Sequence, residues 1–450
     1  VPRYTATPVI GRLVESMRSI VQDRSLPTSW DSFKCEVLEY LRTLIRFDTT
    51  NPPGNERVAT DFLAARLGAE GVASVVLEKE PARANLVARL KGGGGGAPLM
   101  LSSHTDVVPV EAAGWSRAPF GAEIADGCVW GRGAIDMKAK GAMDLGLMLA
   151  LNRAGVALNR DLVLAAVADE EAGSELGARF LVEHHPELVR AGWVLNEAGG
   201  FTLHLGGRRY YPIQVAEKGY VTVKMTVSGP PGHGSIPRSD SAIAALAELV
   251  VRINRTSMRL RLTPLMRRTL DLLGLDPQSA PPLFRAMIAN TVVPTILRAG
   301  YKDNVIPGEA SVVLDGRTLP GETAESLLGE LREIVGPEPT FEVLKCAPPA
   351  EGSADTPLFR LIAHHVEMAD PGARAIAWML PGATDSKFYA QMGATCYGFA
   401  PVRIGQRTPY GALYHGNDER IPIDGFLWGL RLYAEVILSF LGLRFDQVFN

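Results

Sequence analysis

The chain lacks most of the features that mark a narrow class of protein. Its 450 residues carry 46 Lys and Arg against 49 Asp and Glu, a net charge of −3. So little excess of one sign gives no electrostatic reason to expect a nucleic acid or an acidic membrane surface as partner. No uninterrupted apolar run reaches the ~18 residues that suggest a membrane span. The nearest, WGLRLYAEVILSFLGLRF, is broken by Arg431 and Glu435 and reads as an amphipathic packing helix. Cysteine is scarce: Cys35, Cys128, Cys346 and Cys396, with no Cys-x-x-Cys pair. These are expected to be buried free thiols in a reducing, cytoplasmic setting. The first residue is Val1 rather than Met, so removal of an upstream segment is an expectation as well. No Gly-x-Ser-x-Gly occurs, which disfavours a serine hydrolase. The run Gly92–Gly96 is not followed by Gly-Lys-Ser/Thr, so it is read as a flexible hairpin connection and not a phosphate loop.

What is present is a layered α/β pattern. Residues 8–23 and 31–47 have helical spacing of apolar positions, and DTTNPPGNE after them is a turn. The helix RVATDFLAARLGAEG leads to the β-rich runs VASVVLEKE, ANLVARL and APLMLSSHTDVV. Helix DMKAKGAMDLGLMLALNRAG, strand DLVLAAVADE, helix SELGARFLVEHH and strand GWVLNEAGG then alternate. Continuous apolar strands between helices predict a buried, mostly parallel sheet. Near Gln214 the pattern changes. YVTVKMTVSG alternates with period two, and the segments up to TFEVLKC read as β-α-β-β-α-β. The expected organisation is therefore a catalytic domain in two parts, 1–213 (with 1–30 as an N-terminal helical extension) and 348–450. A two-layer, ferredoxin-like domain at 214–347 is inserted between them. The Arg- and Leu-rich stretch Thr256–Ala299 exceeds such a unit.

Five residues spread over this chain have the chemistry of one two-metal site: His104, Asp136, Glu171, Glu197 and His415. Each lies in or just after an apolar run beside small residues or a turn, where buried strands hand polar groups to a cleft. Two imidazoles and three carboxylates suit zinc or a similar divalent ion, and one carboxylate can bridge two ions. His104 and Asp106 are two apart at a strand end and so share a side; the carboxylate can hold the second ring nitrogen. Asp136 follows the Gly-Arg-Gly turn and reads either as a bridging ligand or as a helix N-cap. Asp169, Glu170 and Glu171 crowd the end of the strand VLAAVA, where their charges repel unless cations or protons offset them.

The stretches SSHTDVVP, GRGAIDMK, DEEAGS, NEAGG, GPPGHGSIP, NVIP, GATDS and YHGNDERI resemble, in order, those of the dizinc aminoacylase, desuccinylase and carboxypeptidase superfamily. The resemblance runs from about residue 36 to the end. It implies a zinc-exopeptidase-like catalytic domain with a mixed, mostly parallel sheet and an inserted lid or dimerisation domain. It also implies that His104 and Glu197 bind one zinc, that Glu171 and His415 bind the other, and that Asp136 bridges them. Asp106 would orient His104, Glu170 would be the general base and His233 would polarise the scissile carbonyl. Asn304, Arg317 and Gly382 would contact a substrate carboxylate, although an ion pair within its own domain is the plainer reading of Arg317. Met137 departs from the pattern, since many relatives carry a second Asp there. The implied activity is hydrolysis of an amide next to a free carboxylate, in an N-acyl amino acid or at a peptide C-terminus, by a homodimer. Zinc is the expected metal, with cobalt or manganese as alternatives. A dipeptidase or aminopeptidase is another outcome. A dizinc phosphoesterase would use similar ligands but lacks a cluster of Arg and Lys here, and a non-catalytic descendant would be expected to have lost Glu170 or a ligand.

Overall fold

The structure is a computed structural model that describes residues 28–450. The helix expected at residues 8–23 lies outside them, as does nearly all of the expected extension. Two compact units emerge. Unit 1 holds the described residues up to Gln214, with Ser353–Ile376 and Phe388–Asn450; unit 2 holds Val215–Gly352 and Ala377–Lys387.

Unit 1 opens with helix α1 (Trp30–Arg46), whose N-cap Ser29 accepts a hydrogen bond from the Ser32 amide at 3.2 Å. Its apolar face buries Phe33, Val37, Leu41 and Leu44. Helix α2 (Arg57–Ala69) follows, then strands β1 (Ser74–Glu78), β2 (Ala84–Leu90) and β3 (Gly96–His104). Helix α3 (Lys138–Ala154) packs closely on α1: a Cβ at Gly146 would fall 2.4 Å from Val37. Next come β4 (Arg160–Val167), α4 (Ala178–His184), β5 (Trp193–Asn196) and β6 (Arg208–Glu217). The strands lie in the order β1-β2-β4-β3-β5, and β3 runs parallel to both β4 and β5. Leu99, Met100 and Leu101 of β3 and Leu162, Val163 and Leu164 of β4 are all buried, as a strand covered on both faces requires.

The run Gly92–Gly96 is not a hairpin. β2 and β3 are not neighbours, because β4 lies between them. The glycines instead cross the start of β4: a Cβ on Gly92 would sit 2.3 Å from the Arg160 carbonyl, and one on Gly94 2.4 Å from the Asn159 oxygen. The Gly92 amide donates to Asp161 Oδ1 at 2.9 Å, and the Gly93 amide to the Leu158 carbonyl at 2.9 Å. Lack of a side chain serves close backbone approach here.

Unit 2 contains β7 (Gly219–Ser228), α5 (Ala242–Arg255), α6 (Pro264–Leu273), β8 (Thr291–Ala299), β9 (Glu309–Thr318), α7 (Ala324–Val335) and β10 (Thr340–Ala347). Its antiparallel sheet has the order β8-β9-β7-β10, with a helix after the first and third strands. The period-two pattern of β7 sends Val221, Val223, Met225 and Val227 into one core with Leu246, Leu314, Leu327 and Leu331. Ser241 and Thr323 cap α5 and α7. The stretch that exceeded the simple unit supplies α6, a short helical turn at Pro282–Ala286 and β8. It is anchored from within unit 2. Buried Lys218 donates to the carbonyls of Ala286 (3.0 Å) and Ala289 (2.8 Å), and Thr269 donates to the Ala377 carbonyl at 2.8 Å.

In unit 1 the chain closes with α8 (Pro357–Ala369), β11 (Arg374–Leu380, which runs on into unit 2), β12 (Thr395–Gly398) and α9 (Ile423–Phe440). β12 extends the sheet beside β5, again in parallel. The broken apolar run near the C-terminus is α9, which buries Phe426, Leu430, Tyr433 and Ile437. Among the described residues no helix is long and apolar enough to cross a membrane. None of the four cysteines forms a disulfide, and the expectation of burial holds for Cys35 alone: Cys128 and Cys396 are half-buried, and Cys346, on edge strand β10, is exposed.

Candidate metal centre

Three neighbouring parallel strands, β4, β3 and β5, end on the same side of the sheet. β3 connects forward to β4 on one flank, and the next strand, β5, lies on the other, so the winding reverses at β3. Clefts in open α/β sheets form at the carboxyl ends of strands where the order switches in this way. His104 ends β3; Asp169, Glu170 and Glu171 follow β4; Glu197 follows β5. The cleft thus collects residues nearly a hundred positions apart.

The side chains meet. His104 Nε2 lies 3.1 Å from Asp136 Oδ1 and 3.7 Å from Glu197 Oε2. His415 Nε2 lies 3.2 Å from Asp136 Oδ2 and 3.2 Å from Glu171 Oε2. Asp136 therefore turns one carboxylate oxygen to each imidazole. Asp136 is not the cap of α3, since Met137 holds that position, without a side-chain cap bond. His104 and Glu171 are almost fully buried, whereas His415 is half exposed, on a left-handed turn with φ of +56°. A second group of donor atoms, on His104, Glu170 and Glu197, lies within 4.8 Å of one another. Glu170 is half-buried at the cleft end of β4.

These residues fit divalent ions. Ligand bonds of ~2.0–2.2 Å to a tetrahedral ion put neighbouring donors ~3.4 Å apart, and the four spacings above bracket that value. Glu171 Oε1 is buried with no hydrogen-bond partner, as expected of a group reserved for something else. In the protein alone, burial and then Asp136 push the Glu171 carboxyl up to about 7. Contacts with Asp136 and Glu171 push the His415 imidazole up to about 10. Burial opposes a charged His104, yet Glu197, Asp106 and Asp136 hold its pKa well above the usual value. Protons thus offset the crowded carboxylates, a role that cations also fill.

A buried network supports the centre. His104 Nδ1 lies 3.0 Å from the Asp106 carbonyl and 3.5 Å from its carboxylate. Asp106 also accepts the amides of Glu170 (3.2 Å) and Glu171 (3.1 Å), so one carboxylate fixes both the imidazole and the acidic turn. Burial works against that charge, but His104 and Asn51 keep the Asp106 pKa low. Asn51 Nδ2 donates to Asp106 at 2.8 Å and to Asp169 at 3.1 Å. Arg83 pairs with Asp169 at 2.9 Å and makes two 2.7 Å bonds to fully buried Glu56. Asn51, Glu56 and Arg83 were not singled out by sequence. Asn51 reads there only as part of a Pro-Pro-Gly turn, and no spacing links it to partners 55 and 118 positions away.

The remaining expected residues lie in unit 2. His233 and Asn304 come together, because Gly232–His233 pairs with Val305–Ile306 and the Gly234 amide donates to the Asn304 carbonyl at 2.9 Å. Both side chains are exposed. His233 Nδ1 accepts the Ser235 amide at 3.2 Å and lies 2.8 Å from Ser235 Oγ. Arg317 makes a bidentate pair with Asp315 on its own strand, at 2.7 and 3.0 Å. The Gly382 carbonyl accepts the Lys218 amide at 3.1 Å.

Residues 100–439 match the sequence pattern of Peptidase family M20/M25/M40. The chain belongs to this family. As an M20/M25/M40 member it is a metal-dependent hydrolase of amide bonds, and the cluster around Asp136 has side chains that could hold a metal ion. Aminoacylase-1 of Sus scrofa is 28% identical over 404 residues, covering 88% of this chain and 93% of that protein. The N-fatty-acyl-amino acid synthase/hydrolase PM20D1.1 of Danio rerio is 29% identical over 390 residues, covering 76% and 71%. Among solved M20 structures, the metallo-carboxypeptidase Sso-CP2 of Sulfolobus solfataricus has a TM-score of 0.72 at 18% identity, over 89% of this chain and 98% of that one, which shows the shared fold.

Proposed function

We propose that this enzyme hydrolyses the amide bond of an N-acyl amino acid, or the C-terminal bond of a short peptide, next to a free carboxylate and at a pair of divalent ions, most naturally zinc. The observation that carries this reading is Asp136, with one oxygen 3.1 Å from the His104 imidazole and the other 3.2 Å from that of His415. His104 and Glu197 would hold one ion, Glu171 and His415 the other, with Asp136 shared. When bound, such ions supply Lewis acidity, bringing the pKa of water towards ~7 and polarising a carbonyl.

Glu170, whose amide is held by Asp106, takes the proton of the attacking water and passes it to the leaving nitrogen. The Ser235 amide can only donate, so His233 Nδ1 carries the lone pair and a neutral ring bears its proton on Nε2. That proton is available to a carbonyl oxygen on which negative charge develops. Asn304, Arg317 and Gly382 are the proposed contacts of the substrate carboxylate. Arg317 would have to share its guanidinium with Asp315. The names of the Sus scrofa and Danio rerio relatives, an aminoacylase and an acyl-amino acid synthase/hydrolase, support an acyl amino acid as substrate.

The test compares acyl amino acids with their carboxyl-amidated counterparts on zinc-loaded protein. A large preference for the free acid is expected; equal rates would remove Arg317 from carboxylate recognition. A homodimer through unit 2 is also proposed, since edge strand β8 exposes Val293, Ile296 and Leu297. The absence of a disulfide among the four cysteines supports a cytoplasmic setting.

A further inference from the structure

Two segments that converge on Asp136 are joined by a buried charge that neither binds an ion nor touches substrate in the reading above. Glu419 is fully buried, and both of its oxygens are fully used. Oε1 accepts the amides of Ile135 at 2.7 Å and Asp136 at 3.1 Å; Oε2 accepts the Gly133 amide at 3.0 Å and Arg132 Nη1 at 2.7 Å. Arg132, itself 2% exposed, donates through Nη2 to the carbonyl of His415 at 3.3 Å. One carboxylate thus reaches the backbone of Asp136 directly and that of His415 through a single guanidinium.

Burying an ion pair carries a large desolvation cost, and simple cohesion does not need it here. The same segments are already spliced by backbone pairing of Arg420–Pro422 with Cys128–Trp130 and by the Gly131 amide on the Glu419 carbonyl at 2.9 Å. What the side chains add is aim. They fix the main chain of the two residues whose side-chain atoms stand 3.2 Å apart, Asp136 Oδ2 and His415 Nε2. We propose that Glu419, acting with Arg132, is a positioning residue that sets the geometry of the ion site shared by Asp136 and His415. The inference rests on the two-ion reading and assigns a role to residues outside the ligand set.

The test is a Co²⁺ titration of metal-free full-length protein, followed by calorimetry and by visible absorption, for the parent, Glu419→Gln and Arg132→Lys. The parent is expected to take two equivalents; fewer would overturn the two-ion reading and this inference with it. Glu419→Gln sets an amide NH₂ against backbone donors. Its affinity for one of the two ions should fall 10–100-fold, the range typical of lost partners behind a metal ligand, with a changed cobalt absorption band. Arg132→Lys keeps the charge and the three amide bonds to Glu419, so it remains informative if the first variant fails to fold. It should weaken the same ion site alone. Either variant, folded and binding both ions with the parent's affinities and spectrum, would overturn the proposal even with a lowered unfolding midpoint.

Discussion

The functional groups of unit 1 and those of unit 2 are held in opposite ways. In unit 1, His104 is clamped by Asp106, which is held by Asn51, beside Arg83 and Glu56, all out of water. In unit 2, the His233 and Asn304 side chains stand in solvent, and the His233 ring is steadied by Ser235 two residues on. The contrast follows from what each must meet. Carboxylates gathered within 4.8 Å of an imidazole repel one another, and only a rigid, pre-paired frame keeps them converged. A side chain that donates one hydrogen bond needs its tautomer fixed and little else.

The sharpest challenge to this contrast is Glu170→Ala. In the buried unit a single lost carboxylate should lower kcat by about 10²–10⁴-fold. Zinc content, measured on the same sample, should stay at the parent's level because Glu170 is outside the proposed ligand pairs. Retained turnover would exclude it as the base. The next effect comes from a matched pair of substitutions. Asn51→Ala leaves Asp106 and Asp169 without their shared donor, and kcat/KM should fall 10–100-fold. Ser235→Ala keeps the backbone amide on His233, so its effect should stay within about twofold, the usual scope of a surface substitution. Similar losses in both variants would erase the difference between the two units.

The smallest expected effect concerns one of the buried charges of unit 2, Lys218. Burial, and then the nearby Arg317, push the Lys218 ammonium down to about 7, against ~10.4 in an unfolded chain. Between those values the unfolded state binds more protons, so this residue's contribution to stability is greatest above the upper value and is lost as pH falls to about 7. Denaturant midpoints should therefore rise from pH 7.5 to 9.5 more steeply in the parent than in Lys218→Met. Parallel curves would place the ammonium in a better-solvated site.

Much of this was readable because simple periods carried it. His104 and Asp106 share a side by the two-residue repeat of a strand, and His104, Glu171 and Glu197 end or follow apolar runs that form buried strands. Period-two alternation in YVTVKMTVSG likewise marked the first strand of unit 2. Asn51, Arg83 and Glu56 escaped because their partners are set by how α2 and the turn before it fold back on β4, which no local pattern encodes. The Asp315–Arg317 pair was in plain view, two apart on β9 and so on one face. Cys346 misled because a thiol is usually buried, while an edge strand leaves half its residues to solvent.

The crossing of Gly92–Gly96 over the start of β4 turns a monotonous sequence into a ratchet of unequal teeth. Alanine at Gly92 or Gly94 would drive a methyl into main-chain atoms, whereas Gly93 faces open space and would accept one. Five identical letters therefore carry at least two different tolerances, and a tag or spacer spliced in at this apparent linker would push the crossing chain off the start of β4, in the interior of the sheet.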